Sequence, residues 1–199
     1  MNYIKIRGEI MWNEAEIQKY LKENLNEQRF NHSLRVKDTA VKLAAFYGED
    51  INKAKIAGLV HDSAKNMKDD EIINILENNG YNIDVMYKKT PNIMHGLVGS
   101  IIAKSLMGIS DEDILNSITY HTTGRKNMSV LEKIIYISDY IEPMRNFPGV
   151  SELRELAYKD LDEALLLSFD NTIKYVISRG QLLHFDTIEA RNYIIFSKM

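Results

Sequence analysis

Helix breakers are scarce in this chain: its three prolines sit at 91, 143 and 148, and between them apolar side chains recur every three or four residues. Proline ends a helix and a 3.6-residue period lays an apolar stripe along one, so the chain is constrained to packed helices. Residues 13–25 set Ile17, Tyr20, Leu21 and Leu25 on one face, and residues 31–47 do the same with Leu34, Val41, Ala44 and Ala45 before Gly48. Asp50 is placed to cap a helix through Val60, and Gly80 to close a short one over residues 69–79. A loop through Pro91 leads into a helix with His95 near its start that ends at Gly108, and residues 110–121 form the next. Ser129 and Glu132 have capping-box spacing, which puts Asp139 one to three turns inside the following helix, ahead of Pro143. Residues 151–158, 160–179 and 186–198 complete an all-α reading, with no internal repeat, low-complexity tract or linker.

At 199 residues and 45% hydrophobic content, the chain suits one substantial core, so residues 1–199 are expected to form a single domain. A net charge of -3 without a basic cluster argues against a nucleic-acid partner. The start, Met1 to Arg7, lacks the apolar core of a signal segment, and no apolar stretch reaches bilayer-spanning length. A soluble cytoplasmic protein with no membrane partner is expected. Cysteine is absent, which excludes disulfides and thiolates and leaves only nitrogen and oxygen donors for any metal.

Those donors occur in a telling order: His32, His61-Asp62, His95, His121 and Asp139. Imidazoles and carboxylates hold a divalent cation over an open coordination position, so the series points to a metal-dependent hydrolase. A His-Asp dipeptide alone is a poor motif, but here the apolar run Ala57-Gly58-Leu59-Val60 leads straight into it. Two ionisable residues there are costly to bury unless paired or metal-bound. Four of the five histidines join the series, leaving His184 outside. Helices packed around a shared core can bring such distant residues together.

The stretches Arg29-Phe30-Asn31-His32-Ser33, His61-Asp62-Ser63-Ala64-Lys65, His95-Gly96, Tyr120-His121-Thr122-Thr123-Gly124 and Asp139-Tyr140-Ile141-Glu142-Pro143, with Arg145 and Phe147 to Val150, carry a resemblance. The chain resembles the HD-superfamily phosphohydrolases and, within them, the YqeK-type symmetrical bis(5'-nucleosyl)-tetraphosphatases, over residues 29–192. The resemblance implies an all-α HD-type bundle that hydrolyses diadenosine tetraphosphate to two ADP, with a bound divalent cation, iron first among the candidates. It makes His32, His61, Asp62 and Asp139 the metal ligands. His95 and His121 are expected to face substrate phosphates, with a second metal at that pair left open. Homodimer formation is also left open.

Around these ligands, Lys65 reads as offering an ammonium to a phosphate oxygen or as a solvated lysine, and Asp62 can help accept or orient a proton of the attacking water. Arg29 and Arg145 suit phosphate recognition by a guanidinium fork, or else surface ion pairs. Thr122-Thr123-Gly124 reads as a turn presenting hydroxyls or N–H groups, or as a plain loop. Glu142 reads as orienting Arg145 or facing solvent, and His184 as a surface-loop histidine or a nucleotide contact. The rival readings are another HD-type nucleotide phosphohydrolase and a non-catalytic nucleotide sensor. After His61-Asp62 comes Ser63-Ala64-Lys65-Asn66, without the Glu-Asp pair expected of alarmone hydrolases, and no Gly-Tyr-Pro tract marks a cyclic-dinucleotide phosphodiesterase. Fold alone does not choose among such reactions.

Overall fold

Short polar side chains start most of the helices. Asn13, Asn26, Asp50, Asp111, Ser129 and Asp160 each accept from first-turn N–H groups that no upstream carbonyl can reach. Each such cap contributes about 1 kcal/mol. The computed structural model describes residues 11–83, 90 and 93–199, and these contain ten α-helices and no strand. They are α1 (Glu14–Asn24), α2 (Glu27–Tyr47), α3 (Ile51–Val60), α4 (Asp69–Asn78), α5 (His95–Ser105), α6 (Glu112–Thr119), α7 (Val130–Ile141), α8 (Val150–Leu156), α9 (Leu161–Ser178) and α10 (Phe185–Ser197). The N-terminal segment Met1 to Arg7 and the loop at Pro91 lie outside the described residues.

The all-α expectation holds, and the capping box of Ser129 and Glu132 forms as the spacing requires. One boundary differs. The second helix begins at Glu27, not residue 31, because Asn26 accepts from Arg29 N and starts it a turn earlier. That extra turn is polar, so apolar periodicity does not register it. Its consequence is functional: Arg29 joins the helix that carries His32.

Helix α7 is the central element, burying Leu131, Ile134, Ile135, Tyr136, Ile137 and Ile141. It packs against α2, α3, α6 and α9, while α10 closes over α9. Each fully buried Leu or Ile contributes about 2 kcal/mol of transfer free energy. Helices α2 and α3 cross closely at Gly58, where an added Cβ would lie 3.0 Å from Lys37 Cα and 3.2 Å from Ala40 Cβ. Glycine eases that approach, where a larger side chain would make the neighbour give by a few tenths of an ångström, and it sets the end of α3, with His61, beside the start of α2, with His32. No described helix is long and apolar enough to cross a membrane.

Candidate metal centre

Three histidines are fixed through one ring nitrogen and leave the other facing a common space. His61 Nδ1 donates to Gly58 O at 2.8 Å, His121 Nδ1 to Ile118 O at 2.7 Å, and His32 Nδ1 to Glu142 Oε1 at 3.2 Å. These partners assign the proton to Nδ1 and turn each Nε2 lone pair inward, as metal-ligating imidazoles require. His61 sits where α3 ends, so its ring bonds its own helix's last free carbonyls; His121 repeats the device just past the end of α6.

The inward atoms converge. His32 Nε2 lies 2.9 Å from Asp139 Oδ1 and 3.7 Å from Asp62 Oδ2, and His61 Nε2 lies 3.4 Å from Asp62 Oδ2 and 4.0 Å from Asp139 Oδ1. Both nitrogens are buried, and neither makes an aligned hydrogen bond. The short His32–Asp139 separation brings two potential ligand atoms together. Unsatisfied buried nitrogens are costly, and a divalent cation of nitrogen and oxygen preference at that meeting point removes the cost. Ligand atoms of His32, His61 and Asp139 fall within 4.8 Å of one another, as do those of His61, Asp62 and His121. The residues present fit a divalent cation.

Asp62 is shared between two groups of imidazoles. Its Oδ2 faces Arg29, His32 and His61, while Oδ1 lies 2.9 Å from His95 Nε2 and 3.4 Å from His121 Nε2. The two nitrogens on that second side are themselves 3.0 Å apart. Their spacing is set by Gly96 on α5, where a Cβ would stand 2.6 Å from Thr119 O and 2.9 Å from Ile118 O.

Charge follows from this crowding. Burial works to raise the Asp62 carboxyl, but His61, His121 and His95 outweigh it and hold it well below the usual range. Asp139 is held down in the same way, with His32, His61 and Arg145 opposing burial. Burial pushes His61 down, yet the carboxylates of Asp62 and Asp139 prevail and the net shift is upward. His95 goes the other way: burial, with His121 and Lys65 nearby, lowers it to about 4 against the pull of Asp62. At neutral pH His95 is therefore an uncharged imidazole.

Cationic side chains ring the mouth. Arg29 Nη1 bonds Asp62 Oδ2 at 2.7 Å, and Arg145 clasps Asp139 through both its side-chain and main-chain oxygens. Both arginines are in ion pairs here, but with the carboxylates of the cluster rather than with unrelated surface groups. Lys65 is half-buried with Nζ 3.4 Å from His95 Nε2, and burial lowers its pKa. Nine of the residues singled out from the sequence, Arg29, His32, His61, Asp62, Lys65, His95, His121, Asp139 and Arg145, meet in one region.

Glu142 corrects its expectation. It does not face solvent, and its carboxylate bonds other partners than the Arg145 guanidinium; it is 2% exposed, accepts from Arg35 Nε at 2.7 Å and from Met144 N at 2.8 Å, and braces His32, while only its main-chain carbonyl accepts from Arg145 N. The reason is position, because Glu142 ends α7 just where α2 passes. Arg35 escaped the sequence reading, although its spacing of three from His32, and of six from Arg29, places all three on one face of α2. Arg154 was missed too: it donates to the carbonyls of Ile141, Glu142 and Arg145 and holds the turn after α7. At Thr122-Thr123-Gly124, Thr123 is buried and donates to Gly124 O, so the turn packs inward instead of presenting that hydroxyl. His184 lies at the end of the loop before α10, half-buried, and its Nδ1 caps that helix by accepting from Asp186 N.

The HD domain model matches residues 29–144, a span that contains every imidazole and carboxylate of the cluster. The chain belongs to the HD domain family. It is 39% identical over 183 residues to a Bacillus subtilis protein named bis(5'-nucleosyl)-tetraphosphatase, symmetrical, covering 92% of this chain and 98% of that one. A Staphylococcus aureus protein of the same name is 39% identical over 178 residues, covering 88% and 91%. The crystal structure of a Clostridium acetobutylicum protein, described as a predicted HD superfamily hydrolase involved in NAD metabolism, superposes with a TM-score of 0.93 at 57% identity, over 94% of this chain and all of that one. Within the HD family the chain thus groups with the symmetrical bis(5'-nucleosyl)-tetraphosphatases.

Proposed function

We propose that this protein hydrolyses diadenosine tetraphosphate symmetrically to two ADP, as one domain with His32, His61, Asp62 and Asp139 holding a divalent cation, iron first among the candidates. The observation that carries the reading is the buried convergence of His32 and His61 Nε2 with two carboxylates, ringed by Arg29, Arg35 and Arg145. A bound cation supplies a lowered water pKa and neutralises phosphate charge. This chain's residues do the rest. Arg29 and Arg145 exchange a cluster carboxylate for phosphate oxygens and hold the polyphosphate in register. Lys65, beside His95, brings positive charge to the oxygen that leaves with ADP. Asp62 accepts or orients a proton of the attacking water through whichever oxygen is not engaged.

A second reading of the His95–His121 side is favoured by the way Asp62 divides its oxygens: a carboxylate shared by two sets of imidazoles is also the arrangement that bridges two cations. Phosphate contact and a second ion differ in stoichiometry, since His121→Ala lowers the metal count only in the second. Reaction products test the main proposal. ADP as sole initial nucleotide product supports it, whereas equimolar ATP and AMP overturn symmetrical cleavage. Nucleotide binding without turnover in metal-replete protein would favour a sensor.

A further inference from the structure

Behind the His95–His121 pair lies a cavity of about 370 Å³ between α5 and α6, in the size range of small-ligand sites. None of the cluster's imidazoles or carboxylates lines it, yet its wall includes Met94 and Tyr120, the chain neighbours of His95 and His121. We propose that this cavity seats a purine nucleoside of the substrate, with Asn116 reading the base edge and Tyr120 stacking on it. The assignment rests on the reading of the protein as a dinucleoside polyphosphate hydrolase.

Four observations favour a base over a phosphate or a lipid. The floor is apolar, with Leu97, Ile101 and Leu115 giving a surface for a flat ring. Tyr120 adds an aromatic wall, steadied by Arg125, whose guanidinium carbon is 5.1 Å from the ring centroid and which is bonded to Glu132. Asn116 is half-buried, and its side-chain amide has no hydrogen-bond partner among the described residues. An amide offers a donor and an acceptor side by side, the pattern that pairs with a purine edge. Among the described residues of its lining, the one lysine, Lys104, is paired with Glu112 at 3.3 Å and His184 lies 3.5 Å from the Asp186 carboxylate, so these groups disfavour phosphate there and welcome sugar hydroxyls. The contrast is with the arginine-lined cavity on the His32 side, of about 390 Å³, which suits phosphate.

The test uses the full-length, metal-loaded protein and two variants, Asn116→Leu and Ile101→Trp, with calorimetric titration of adenosine and steady-state kinetics on diadenosine tetraphosphate. Adenosine alone should bind the unaltered protein. Asn116→Leu should weaken it by about tenfold, in line with the loss of one amide–base pair, and raise KM by a similar factor while kcat changes little. Ile101→Trp should abolish adenosine binding by filling the space, with metal content and thermal midpoint retained. Adenosine affinity equal to the parent's in Asn116→Leu, or a loss confined to kcat, overturns the proposal. The two readings fail separately: no cleavage by the parent sinks the hydrolase, while cleavage with unchanged KM in Asn116→Leu sinks only the cavity.

Discussion

Replacing Glu142 by alanine should weaken metal binding although Glu142 is not a member of the converging set. Its carboxylate is the partner of His32 Nδ1 at 3.2 Å, of Arg35 Nε at 2.7 Å and of Met144 N at 2.8 Å. Without it, His32 is no longer held with Nε2 inward, and a buried imidazole N–H loses its acceptor. Loss of such an orienting partner costs about 10- to 100-fold in metal affinity, or about 1.4–2.7 kcal/mol. Glu142→Gln keeps one oxygen for these three donors but gives up the charge, and should fall between alanine and the parent. Arg35→Ala provides a control: it removes a partly exposed ion-pair partner worth about 1 kcal/mol or less, so affinity should drop at most about fivefold. The assay is competition against a chromophoric chelator, with circular dichroism to confirm that each variant is folded. Affinity in folded Glu142→Ala equal to the parent's would refute the orienting role.

Gly96→Ala should destabilise the protein by about 1–3 kcal/mol, because its Cβ would press on the carbonyls of Thr119 and Ile118 and part α5 from α6. A thermal midpoint several degrees lower, with reduced turnover, is expected; an unchanged midpoint would contradict the packing account. Binding of the cation near neutral pH should release protons. His61 is raised above its ordinary value by Asp62 and Asp139 against burial, so the metal-free protein holds a proton there to higher pH than a free imidazole does, whereas a ligand imidazole must be neutral. His95, lowered to about 4, contributes none. The sign follows: the favourable His61–carboxylate interaction in the metal-free fold is full below about pH 6.5 and is lost as pH rises through the raised value, so metal affinity climbs over the same window. Calorimetry in buffers of different ionisation enthalpy measures this, and zero proton release would be the contrary outcome.

Much of the site was legible because its chemistry is carried by rare residue types. Four of five histidines belong to the cluster, and their order along the chain survives the fold. Helix boundaries were legible where a side chain does the capping, as at Asp50 and Ser129, and less so at Asn26, where the first turn is polar. Glu142 and Arg35 were hard to read for another reason. Their bond joins residues 107 positions apart, and nothing local in a glutamate after an isoleucine announces that α2 will pass beside it. His184 hid for a different reason, since histidine is not among the favoured capping residues, although its partner, the Asp186 N–H, lies only two residues on. Conversely, Arg29 and Arg145 were singled out from sequence because they flank two of the ligand segments, while their pairing with Asp62 and Asp139 is a property of packing alone.

The central claim is that one divalent cation sits among His32 Nε2, His61 Nε2, Asp62 Oδ2 and Asp139 Oδ1. Crystals of protein loaded with iron or manganese, with data collected on both sides of the metal's absorption edge, test it most directly. The account predicts an anomalous peak about 2.0–2.2 Å from these four atoms, with Arg29 and Arg145 released from the carboxylates they now hold. A peak bound by other residues, or none in metal-loaded crystals, would contradict it.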